Sequence, residues 1–527
     1  MNSIFNFFKK EKTTNKMPST EELIERGFAP KNGKIDILLI FPPTSVAGRY
    51  GRDDIGEIGG DVIPLGIAML AAYLREKGFG VGVLDCPGLR IDSEKVFEII
   101  TEKDPDIIAF STSTYTLFRA IEIAKKIRSK SQNKLILLGG SHANVAAEET
   151  VDQYDYFDIV SYGKDGELII HDIVAKYKEK NCDRNLFMSD HEILKSIKGI
   201  IYKINNVAIR NEEAENIPDL DVLPFPARDL FPLERYIPLP NQYKRLPATN
   251  MVVIRGCPYS CSFCDQAFTG ARRSSPQRAV AEIKHCVEVL GIREISFWDD
   301  MLCYHKKWMK EFLNLLIEEN LDFTWSCYAA VNTVDEELLK LMGKAGCWNI
   351  FYGFETAVDV LAKNINTVRK NKSLEKMKQV VSWTKAAGIE VRGSFMVGMP
   401  GETPELGKQT IQNAIELDPD YAQFGIVCPF PGTQLYKEIK QGKWGKFLTE
   451  NFEDYNMWQP TWLPDGYQNI NQLKEMEKLA YTKFYLRPKY VFGRIKSIKS
   501  FEDIKRYFKG AIGLIKGGYI STKFKEI

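Results

Sequence analysis

The sequence predicts an α/β protein: a Rossmann-like, doubly wound parallel sheet, then a partial (β/α)6 TIM-type barrel, and finally a helical C-terminal extension. Short apolar segments alternate with helical patterns in two long stretches of the 527 residues. Strands that are apolar throughout are typical of parallel sheets covered by helices on both faces. A proline-rich segment separates the two stretches, which predicts two domains joined by a linker.

The first stretch, which we assign to a domain over residues 34–180, contains five predicted strands. They cover residues 35–41, 81–84, 107–111, 135–138 and 157–160. Helical patterns lie between them at 64–77, 96–102, 117–130 and from residue 167 onward. Ligands of such sheets bind at the carboxyl ends of the strands, so we expect binding residues there. Residues 1–33 are mostly polar and charged, and we expect poor order in them.

Residues 181–247 predict a β-hairpin followed by an extended linker. The segment 200–209 carries apolar residues on both sides of Asn205-Asn206, a pair that suits a tight hairpin turn. Six prolines follow between residues 218 and 240, and prolines disfavour both helix interiors and central strands. We expect this linker to strap the two domains together.

The second stretch, assigned to residues 248–445, contains six strand–helix units. The predicted strands cover residues 251–254, 294–298, 323–328, 349–351, 390–396 and 422–427. Six units are too few for a closed eight-stranded barrel, so we expect a partial barrel with its active site at the carboxyl ends of the strands. Residues 446–527 predict a mostly helical, basic region, because 483–527 contains twelve Lys or Arg and three Asp or Glu, a net charge of +9.

The composition argues against several classes of protein. The net charge of +2 gives no strong field for nucleic acid. The longest apolar run, 62–74, is shorter than the ~20 residues of a membrane-spanning helix. Of the ten cysteines, three are clustered and the others are scattered, which is unlike a disulfide framework. We therefore expect a reducing, cytoplasmic setting with little oxygen and no nucleic-acid partner.

The most informative motif is the group of Cys257, Cys261 and Cys264, which directly follows a predicted strand. A tight loop can aim three thiolates at one point, and thiolates are the usual ligands of iron–sulfur clusters, which normally take four. Three ligands would leave one iron open for a small molecule. The alternatives are half of a zinc site, with Cys286 or His285 as a fourth ligand, or unrelated buried thiols.

The cysteine loop, with the aromatic Phe263 before its third cysteine, resembles the radical S-adenosylmethionine superfamily. Four later segments match the pattern of that family in order: Ile295-Ser296-Phe297-Trp298-Asp299-Asp300, Tyr352-Gly353-Phe354-Glu355-Thr356, Gly393-Ser394-Phe395-Met396-Val397-Gly398-Met399-Pro400-Gly401-Glu402-Thr403 and Pro429-Phe430-Pro431-Gly432-Thr433. The N-terminal domain resembles the cobalamin-binding domain of the cobalamin-dependent branch in Phe41-Pro42-Pro43, Pro64-Leu65-Gly66, Asp85, Ser111-Thr112-Ser113 and Gly139-Gly140-Ser141-His142-Ala143. Together the two resemblances span most of residues 35–445.

This resemblance implies three cofactors. Cys257, Cys261 and Cys264 would hold a [4Fe–4S] cluster whose open iron binds S-adenosylmethionine, and one electron would then release a 5′-deoxyadenosyl radical. The residues implied to contact S-adenosylmethionine are Phe263, Asp299, Glu355, Arg392 and Ser394. The residues implied to contact cobalamin are Ser111, Thr112, Ser113, Gly139, Gly140 and Ser141.

Several of these residues also have an ordinary structural interpretation. Asp299 could cap the helix that begins near Lys306, Glu355 could be a solvated loop residue, and the serines and glycines could form plain strand-to-helix turns. His142 lacks the D-x-H-x-x-G pattern of the family's cobalt ligand. We therefore expect cobalamin to bind without a histidine on cobalt, and His142 to be a hydrogen-bonding turn residue.

The resemblance further implies methylation of an unactivated carbon or a phosphinate phosphorus through methylcobalamin. The substrate would be a small molecule or a lipid, and flavodoxin or ferredoxin would donate electrons. One alternative is a non-methylating radical reaction, such as cyclisation of a porphyrin- or lipid-type substrate; another is a non-enzymatic cobalamin sensor. In the tail, Tyr490, Phe492, Ile495 and Ile498 among basic residues predict either a helix at the inner face of the membrane or a solvated helix packed on the barrel.

Overall fold

The computed structural model describes residues 17–44, 59–267, 269–371, 373–455, 459–496, 498 and 501–516. Poor order was expected for residues 1–33, and residues 1–16 lie outside the described part of the chain. From residue 20 this expectation is wrong, because Thr20–Arg26 forms a helix (α1) that begins with a capping box and buries Leu23 and Ile24. A short strand, β1 (Phe28–Ala29), then pairs with the edge of the first sheet.

The first sheet has eight strands in the order β1-β3-β2-β4-β5-β6-β7-β8. After β1 they are β2 (Ile37–Phe41), β3 (Val81–Asp85), β4 (Ile107–Ser111), β5 (Leu135–Gly139), β6 (Ile159–Ser161), β7 (Ile200–Ile204) and β8 (Val207–Arg210). Strands β2 to β6 are mutually parallel, which confirms the Rossmann-like prediction. The predicted hairpin pairs antiparallel with β6. The first domain therefore extends through Arg210 and does not end at residue 180, because the edge of β6 offers free backbone groups to the hairpin.

Helices cover both faces of this sheet. They are α2 (Leu65–Glu76), α3 (Cys86–Leu89), α4 (Ser93–Lys103), α5 (Leu117–Lys130), α6 (Ser141–Gln153), α7 (Gly166–Glu179), α8 (Arg184–Ser189) and α9 (His191–Lys195). Successive side chains of β2 point to opposite faces, so Leu38 and Ile40 join one hydrophobic core while Ile37 and Leu39 join the other. This two-sided burial explains why the strand sequences are apolar throughout.

The second sheet is a partial barrel of six parallel strands in the order β9-β12-β13-β14-β15-β16. They are β9 (Ala248–Met251), β12 (Glu294–Phe297), β13 (Thr324–Ala329), β14 (Cys347–Glu355), β15 (Glu390–Val397) and β16 (Tyr421–Ile426). The predicted partial barrel is confirmed. Its first strand begins and ends three residues earlier than the predicted 251–254. The strand ends at Met251 because Val252 and Val253 turn toward a two-stranded ribbon of β10 (Ile254–Arg255) and β11 (Arg272–Arg273).

The two faces of the barrel sheet differ in chemistry. The barrel helices are α10 (Pro276–Lys284), α11 (Lys306–Glu319), α12 (Glu336–Lys344), α13 (Asp359–Asn364), α14 (Val368–Asn371), α15 (Leu374–Ala386), α16 (Pro404–Leu417) and α17 (Gln434–Lys440). On the helix side, Phe354, Phe395 and Phe424 of neighbouring strands stack at centroid distances of 5.6 and 5.4 Å. The alternate residues, such as Arg392 and Ser394, therefore face the concave interior, where a ligand can bind.

The C-terminal region closes the open edge of the barrel. After β17 (Gly445–Phe447) and β18 (Trp462–Pro464), helix α18 (Ile470–Tyr485) packs along β16. The Tyr481 hydroxyl donates to the Phe424 carbonyl at 3.0 Å, and the Tyr485 hydroxyl accepts from the Ala422 N–H at 3.0 Å. These phenols satisfy backbone groups that would otherwise need a further strand. Helices α19 (Pro488–Lys496) and α20 (Phe501–Lys516) follow. Within the described residues, no helix has both the length and the apolar character needed to cross a bilayer.

The proline-rich segment straps the two domains together, as expected. Its Tyr236 hydroxyl donates to Asp85 at the end of β3 at 2.5 Å. Its fully buried Arg228 forms a 2.9 Å ion pair with Glu282 of α10 and donates to the Asn250 carbonyl at 2.9 Å. The linker therefore grips a strand end of the first domain and a helix and strand of the barrel through directional polar contacts.

We predict that Glu294 makes the protein less stable as the pH rises. Glu294 is buried at the start of β12, where Trp348 Nε1 donates to it at 2.6 Å, and burial raises its pKa to about 7. Because the folded pKa lies above the unfolded value, its stabilising effect is complete below about pH 4 and is lost as the pH rises through 7. Relative to Glu294→Gln, wild type should lose roughly 2–3 kcal/mol between pH 5 and pH 8. Chemical denaturation at both pH values measures this, and the exposed Glu288→Gln serves as control.

Candidate active site

The three cysteines lie in a loop whose ends are joined by the ribbon of β10 and β11. Gly256 opens the loop with a φ of +90°, and a Cβ there would lie 2.0 Å from the Gly270 carbonyl oxygen. The Cys257 N–H donates to Thr269 Oγ1 at 2.9 Å, and the Thr269 N–H donates back to the Cys257 carbonyl at 3.1 Å. Glycine is required because the two sides of the loop approach each other more closely than a side chain allows.

The tip of the loop is hydrogen-bonded to segments that follow three barrel strands. Tyr259 donates to Asn332 after β13 at 2.8 Å. The Ser262 N–H donates to the Ile365 carbonyl after β14 at 3.1 Å, and the Leu435 N–H, after β16, donates to the Ser262 carbonyl at 2.8 Å. The loop therefore lies over the carboxyl ends of the barrel strands, where the sequence predicted the active site.

The three thiols share one environment. Burial raises the pKa of each, to about 12 for Cys264, while the nearby Lys370 ammonium opposes this rise for Cys257 and Cys261. The Cys257 thiolate would also raise the pKa of Cys261, and both thiolates would raise that of Cys264, because nearby like charges oppose ionisation. Binding iron would relieve these costs, because a metal holds the deprotonated form.

The donor set fits an iron–sulfur cluster better than a zinc ion. The cysteine loop supplies three free thiols, and each can bind a different iron of such a cluster. The proposed fourth zinc ligands are elsewhere: Cys286 is buried beside Arg228 and Glu282, and the ring of His285 packs on Phe225.

Glu355 ends β14 beside the cysteines and is paired with Lys370. Lys370 Nζ lies 3.0 Å from Glu355 Oε1, and the Glu355 side chain is 7% exposed, so a solvated loop residue is excluded. Gly353 makes room for the pair, because a Cβ there would lie 2.5 Å from Glu355 Oε1 and 2.7 Å from Lys370 Nζ. Burial alone would lower the pKa of Lys370, but Glu355 and the Cys261 thiol raise it, so Lys370 stays charged. Sequence reasoning missed Lys370, which belongs to no motif.

Asp299 fastens the chain between β9 and the cysteine loop. Its Oδ1 accepts the N–H groups of Val253, at 2.8 Å, and of Ile254, while Oδ2 is buried without a partner in the described part of the chain. Burial raises the pKa of Asp299 to about 7. The alternative of a helix cap is wrong, since His305 caps α11 by accepting from the Trp308 N–H at 3.2 Å. Contact between Asp299 and a cofactor stays a prediction.

The other residues predicted for S-adenosylmethionine lie around the concave face of the barrel. Arg392 stacks on Phe351 at 4.5 Å and donates to the Asn241 carbonyl at 3.0 Å; burial lowers its pKa. Ser394 pairs in register with Gly353 and is half-buried. Phe263 packs instead against a small hydrophobic cluster that includes Ile365. Contacts of these residues with a cofactor stay predictions.

The residues predicted for cobalamin lie together at the carboxyl ends of the parallel strands of the first sheet. Ser111 and Gly139 pair in register at the ends of β4 and β5, and the Thr112 N–H donates to the Gly139 carbonyl at 2.9 Å. Gly140 has a φ of +94°, and a Cβ there would lie 2.5 Å from the Thr112 carbonyl oxygen. Ser113 and Ser141 flank this contact, half-buried and exposed respectively. These strand ends thus present small residues and backbone to a bulky ligand.

His142 is buried and uses both ring nitrogens. Nδ1 lies 3.1 Å from the Thr114 hydroxyl and Nε2 lies 2.9 Å from the Thr150 hydroxyl. Burial lowers its pKa to about 4, so the imidazole is neutral. The expected hydrogen-bonding role is confirmed, although His142 lies in the first turn of α6 and not in a loop.

Comparisons with known proteins match both halves of the chain. The B12 binding domain matches residues 51–169, and the Radical SAM superfamily matches residues 251–413. An uncharacterized methyltransferase of Pyrococcus horikoshii is 30% identical over 480 residues, which cover 90% of this chain and 98% of that protein. The anaerobic magnesium-protoporphyrin IX monomethyl ester cyclase of Rubrivivax gelatinosus is 28% identical over 87% of this chain and 82% of its own. The structure of the methyltransferase TsrM from Kitasatospora setae, with cobalamin and a [4Fe-4S] cluster bound, has a TM-score of 0.66 at 17% identity, covering 92% of this chain and 99% of that one.

We predict that Asp299→Ala weakens the entrance of the cysteine loop. The change leaves the N–H groups of Val253 and Ile254 without their acceptor, which should lower the free energy of unfolding by roughly 1–3 kcal/mol and reduce iron uptake during anaerobic reconstitution. Denaturant unfolding and iron analysis measure the two effects. The matched control is Asp152→Ala at an exposed position of α6 in the first domain, which should change stability by no more than about 0.5 kcal/mol. Equal effects of the two substitutions would contradict this account of Asp299.

Proposed function

The chain belongs to the cobalamin-dependent branch of the radical S-adenosylmethionine superfamily, and we propose that it methylates an unactivated carbon or a phosphinate phosphorus of a small molecule. The observation that carries this proposal is the anchored loop of Cys257, Cys261 and Cys264 over the barrel, joined by ion pairs to the domain that matches the B12-binding family. A methyl group must pass from one cofactor to a substrate, which calls for two binding domains that face one cavity.

The cofactors supply the reactive chemistry when bound: S-adenosylmethionine and the [4Fe–4S] cluster give a carbon-centred radical, and cobalamin carries the methyl group. The three thiolates would hold the cluster, and burial of Cys261 would keep water from it. Glu355 would accept a hydrogen bond from the ammonium of S-adenosylmethionine, with Lys370 holding the carboxylate in place. Ser111–Ser113 and Gly139–Ser141 would line the tail of cobalamin.

The similarity to a porphyrin cyclase supports a second candidate, a radical oxidation that closes a ring without methyl transfer. Both reactions begin with abstraction of a hydrogen atom from the substrate, so the same cluster loop serves either. The product separates them, because methylation adds one carbon while cyclisation removes hydrogen.

We predict that the reconstituted enzyme incorporates methyl label. Protein loaded with cobalamin and cluster under anaerobic conditions, then incubated with deuterated-methyl S-adenosylmethionine and a cell extract, should give 5′-deoxyadenosine and a product that carries the label by mass spectrometry. Cys264→Ala should abolish both, whereas Cys182→Ala, a half-buried thiol of the first domain, should retain both. Formation of 5′-deoxyadenosine with loss of hydrogen and no label would favour the cyclase.

Our proposal extends to location and partners. The enzyme would work in the cytoplasm, where a flavodoxin or ferredoxin supplies single electrons at low potential. It would also touch an anionic membrane surface through α19 and α20. Tyr490 and Arg494 anchor α19 to the barrel at Asp420, so Tyr490 faces inward. Many of the outward side chains are apolar, and the following are exposed: Val491, Phe492, Ile495, Ile498, Ile504, Phe508 and Ile515.

The positive charge around these apolar side chains favours an anionic bilayer as their partner. Residues 483–527 carry a net charge of +9, and the exposed Lys489 and Lys496 flank Phe492. Basic residues beside a membrane contribute roughly 1 kcal/mol each, and exposed aromatic side chains can enter the interface. A lipid or other hydrophobic substrate would then be collected where it is dissolved.

We predict that the protein sediments with vesicles that contain phosphatidylglycerol and not with pure phosphatidylcholine, and that salt weakens binding. Phe492→Ser combined with Phe508→Ser should reduce the bound fraction several-fold, because two apolar anchors are removed. The matched control, Val207→Ser, changes an exposed apolar residue of the first domain and should bind like wild type. Equal binding of both variants, or no preference for anionic lipid, would exclude this surface.

A further inference from the structure

Two arginines at the stem of the cysteine loop are paired with two carboxylates of the first domain. Arg255 of β10 lies opposite Arg272 of β11 in the ribbon. Arg255 Nη2 contacts Glu167 Oε1 at 2.6 Å and Arg255 Nη1 contacts Asp165 Oδ1 at 2.8 Å. Arg272 Nη1 contacts Asp165 Oδ2 at 2.5 Å. Each strand of the stem thus contributes one cation to a shared acidic pair.

This ion-pair cluster joins three parts of the molecule. Asp165 precedes α7 and follows closely after β6. It therefore lies at the carboxyl ends of the parallel strands, like Ser111 and Gly139. Asp165 also accepts the Ile217 N–H of the strap at 2.6 Å, and Arg272 donates to the Ile217 carbonyl at 2.6 Å. The strand ends predicted to bind cobalamin, the strap and the cysteine loop therefore meet at four charged side chains.

The cluster is well shielded from water. The Asp165 side chain has no exposed surface, and that of Glu167 is 5% exposed, while both arginines keep less than a fifth of theirs. Buried ion pairs of this kind contribute little net stability, because desolvation offsets the attraction. The forked guanidinium of Arg255, which reaches both carboxylates, instead constrains direction, since it accepts only one geometry.

The ribbon itself is too short to hold a direction. It has only two residue pairs, Ile254 with Arg273 and Arg255 with Arg272. An isolated two-stranded ribbon of this length is marginal in water. Its orientation therefore depends on the contacts of its side chains, and those of Arg255 and Arg272 form ion pairs with the first domain.

We propose that Asp165, Glu167, Arg255 and Arg272 are positioning residues that fix the cysteine loop against the first domain, and thereby set the separation between the iron–sulfur cluster and cobalamin. This inference rests on the proposed function for its catalytic consequence alone. A loosened stem leaves the thiols able to bind the cluster and S-adenosylmethionine able to be cleaved. It makes the methyl donor miss the substrate radical, so cleavage and methyl transfer become uncoupled.

The test uses Glu167→Gln, which keeps the shape of the side chain and removes its charge, and Arg272→Gln from the other strand. Hydrogen–deuterium exchange of the cofactor-free protein should rise roughly tenfold for amides of residues 256–271, about 1.4 kcal/mol of local protection. In protein loaded with both cofactors, pulsed EPR measures the dipolar coupling between cob(II)alamin and the reduced cluster. The distribution of distances obtained from this coupling should become broader. The ratio of methylated product to 5′-deoxyadenosine should fall several-fold while cleavage continues. Glu167→Asp, which retains the charge, should restore part of each signal.

The matched control is Asp158→Asn, which breaks the buried ion pair with Arg128 in the same domain, away from the loop. It should lower the melting temperature and leave loop exchange, EPR coupling and product ratio unchanged. If Glu167→Gln and Arg272→Gln behave like this control, the positioning role is overturned, whatever the substrate. If wild type forms no methylated product, the proposed function fails, yet exchange and EPR coupling still decide the positioning role.

Discussion

The placement of the cysteine loop depends on polar contacts made in three directions. Asp299 holds the backbone at its entrance, Asn332 and Ile365 hold its tip, and Asp165 receives the cations of its stem. A loop of this length would otherwise sample many conformations, and a metal cluster would have to order it at an entropic cost. Because the contacts reach the barrel and the first domain separately, the thiols are fixed relative to both.

The barrel can stay open on its concave side because its convex side is packed so fully. Phenylalanines of β14, β15 and β16 stack against the helices, and tyrosines of α18 bond to the last strand. Two further strands would close the barrel but would fill its interior with side chains, as in eight-stranded examples. Ending at six strands keeps the concave face, which carries Arg392 and Ser394, free of two further strands, and the strap joins the first domain to the same barrel.

Local patterns predicted most of the strands, because apolar runs and turn residues act over a few neighbours. Phe110 and Phe395, for instance, lie in segments that could hardly be exposed. The contacts that sequence reasoning missed are long-range. Lys370 finds Glu355 only because α14 returns over β14, and the hairpin at Ile200 joins β6 through backbone groups that carry no sequence signal. Leu23 and Ile24 gave too weak a pattern against the charges around them. The spacing of Cys257, Cys261 and Cys264 was sufficient to predict that the three thiols belong to one site, because a single loop holds all three.

Three residues of the barrel's inner face and of the segment beside the cysteine loop depart from ordinary packing rules. Glu355 has a φ of +58°, which a non-glycine residue adopts at a cost, and it follows a break in the β14–β15 register. Asp299 Oδ2 and both amide atoms of the buried Asn349 have no partner within the described residues. Such groups normally destabilise a core by about 1–3 kcal/mol each. Positive φ angles and unpartnered buried atoms also occur elsewhere among the described residues, for example at Arg90 and Tyr455, so they support the site only together with the cysteine loop. Glu355 and Asp299 do lie beside the cysteine loop, and polar ligands bound there would offset part of the cost of these two residues.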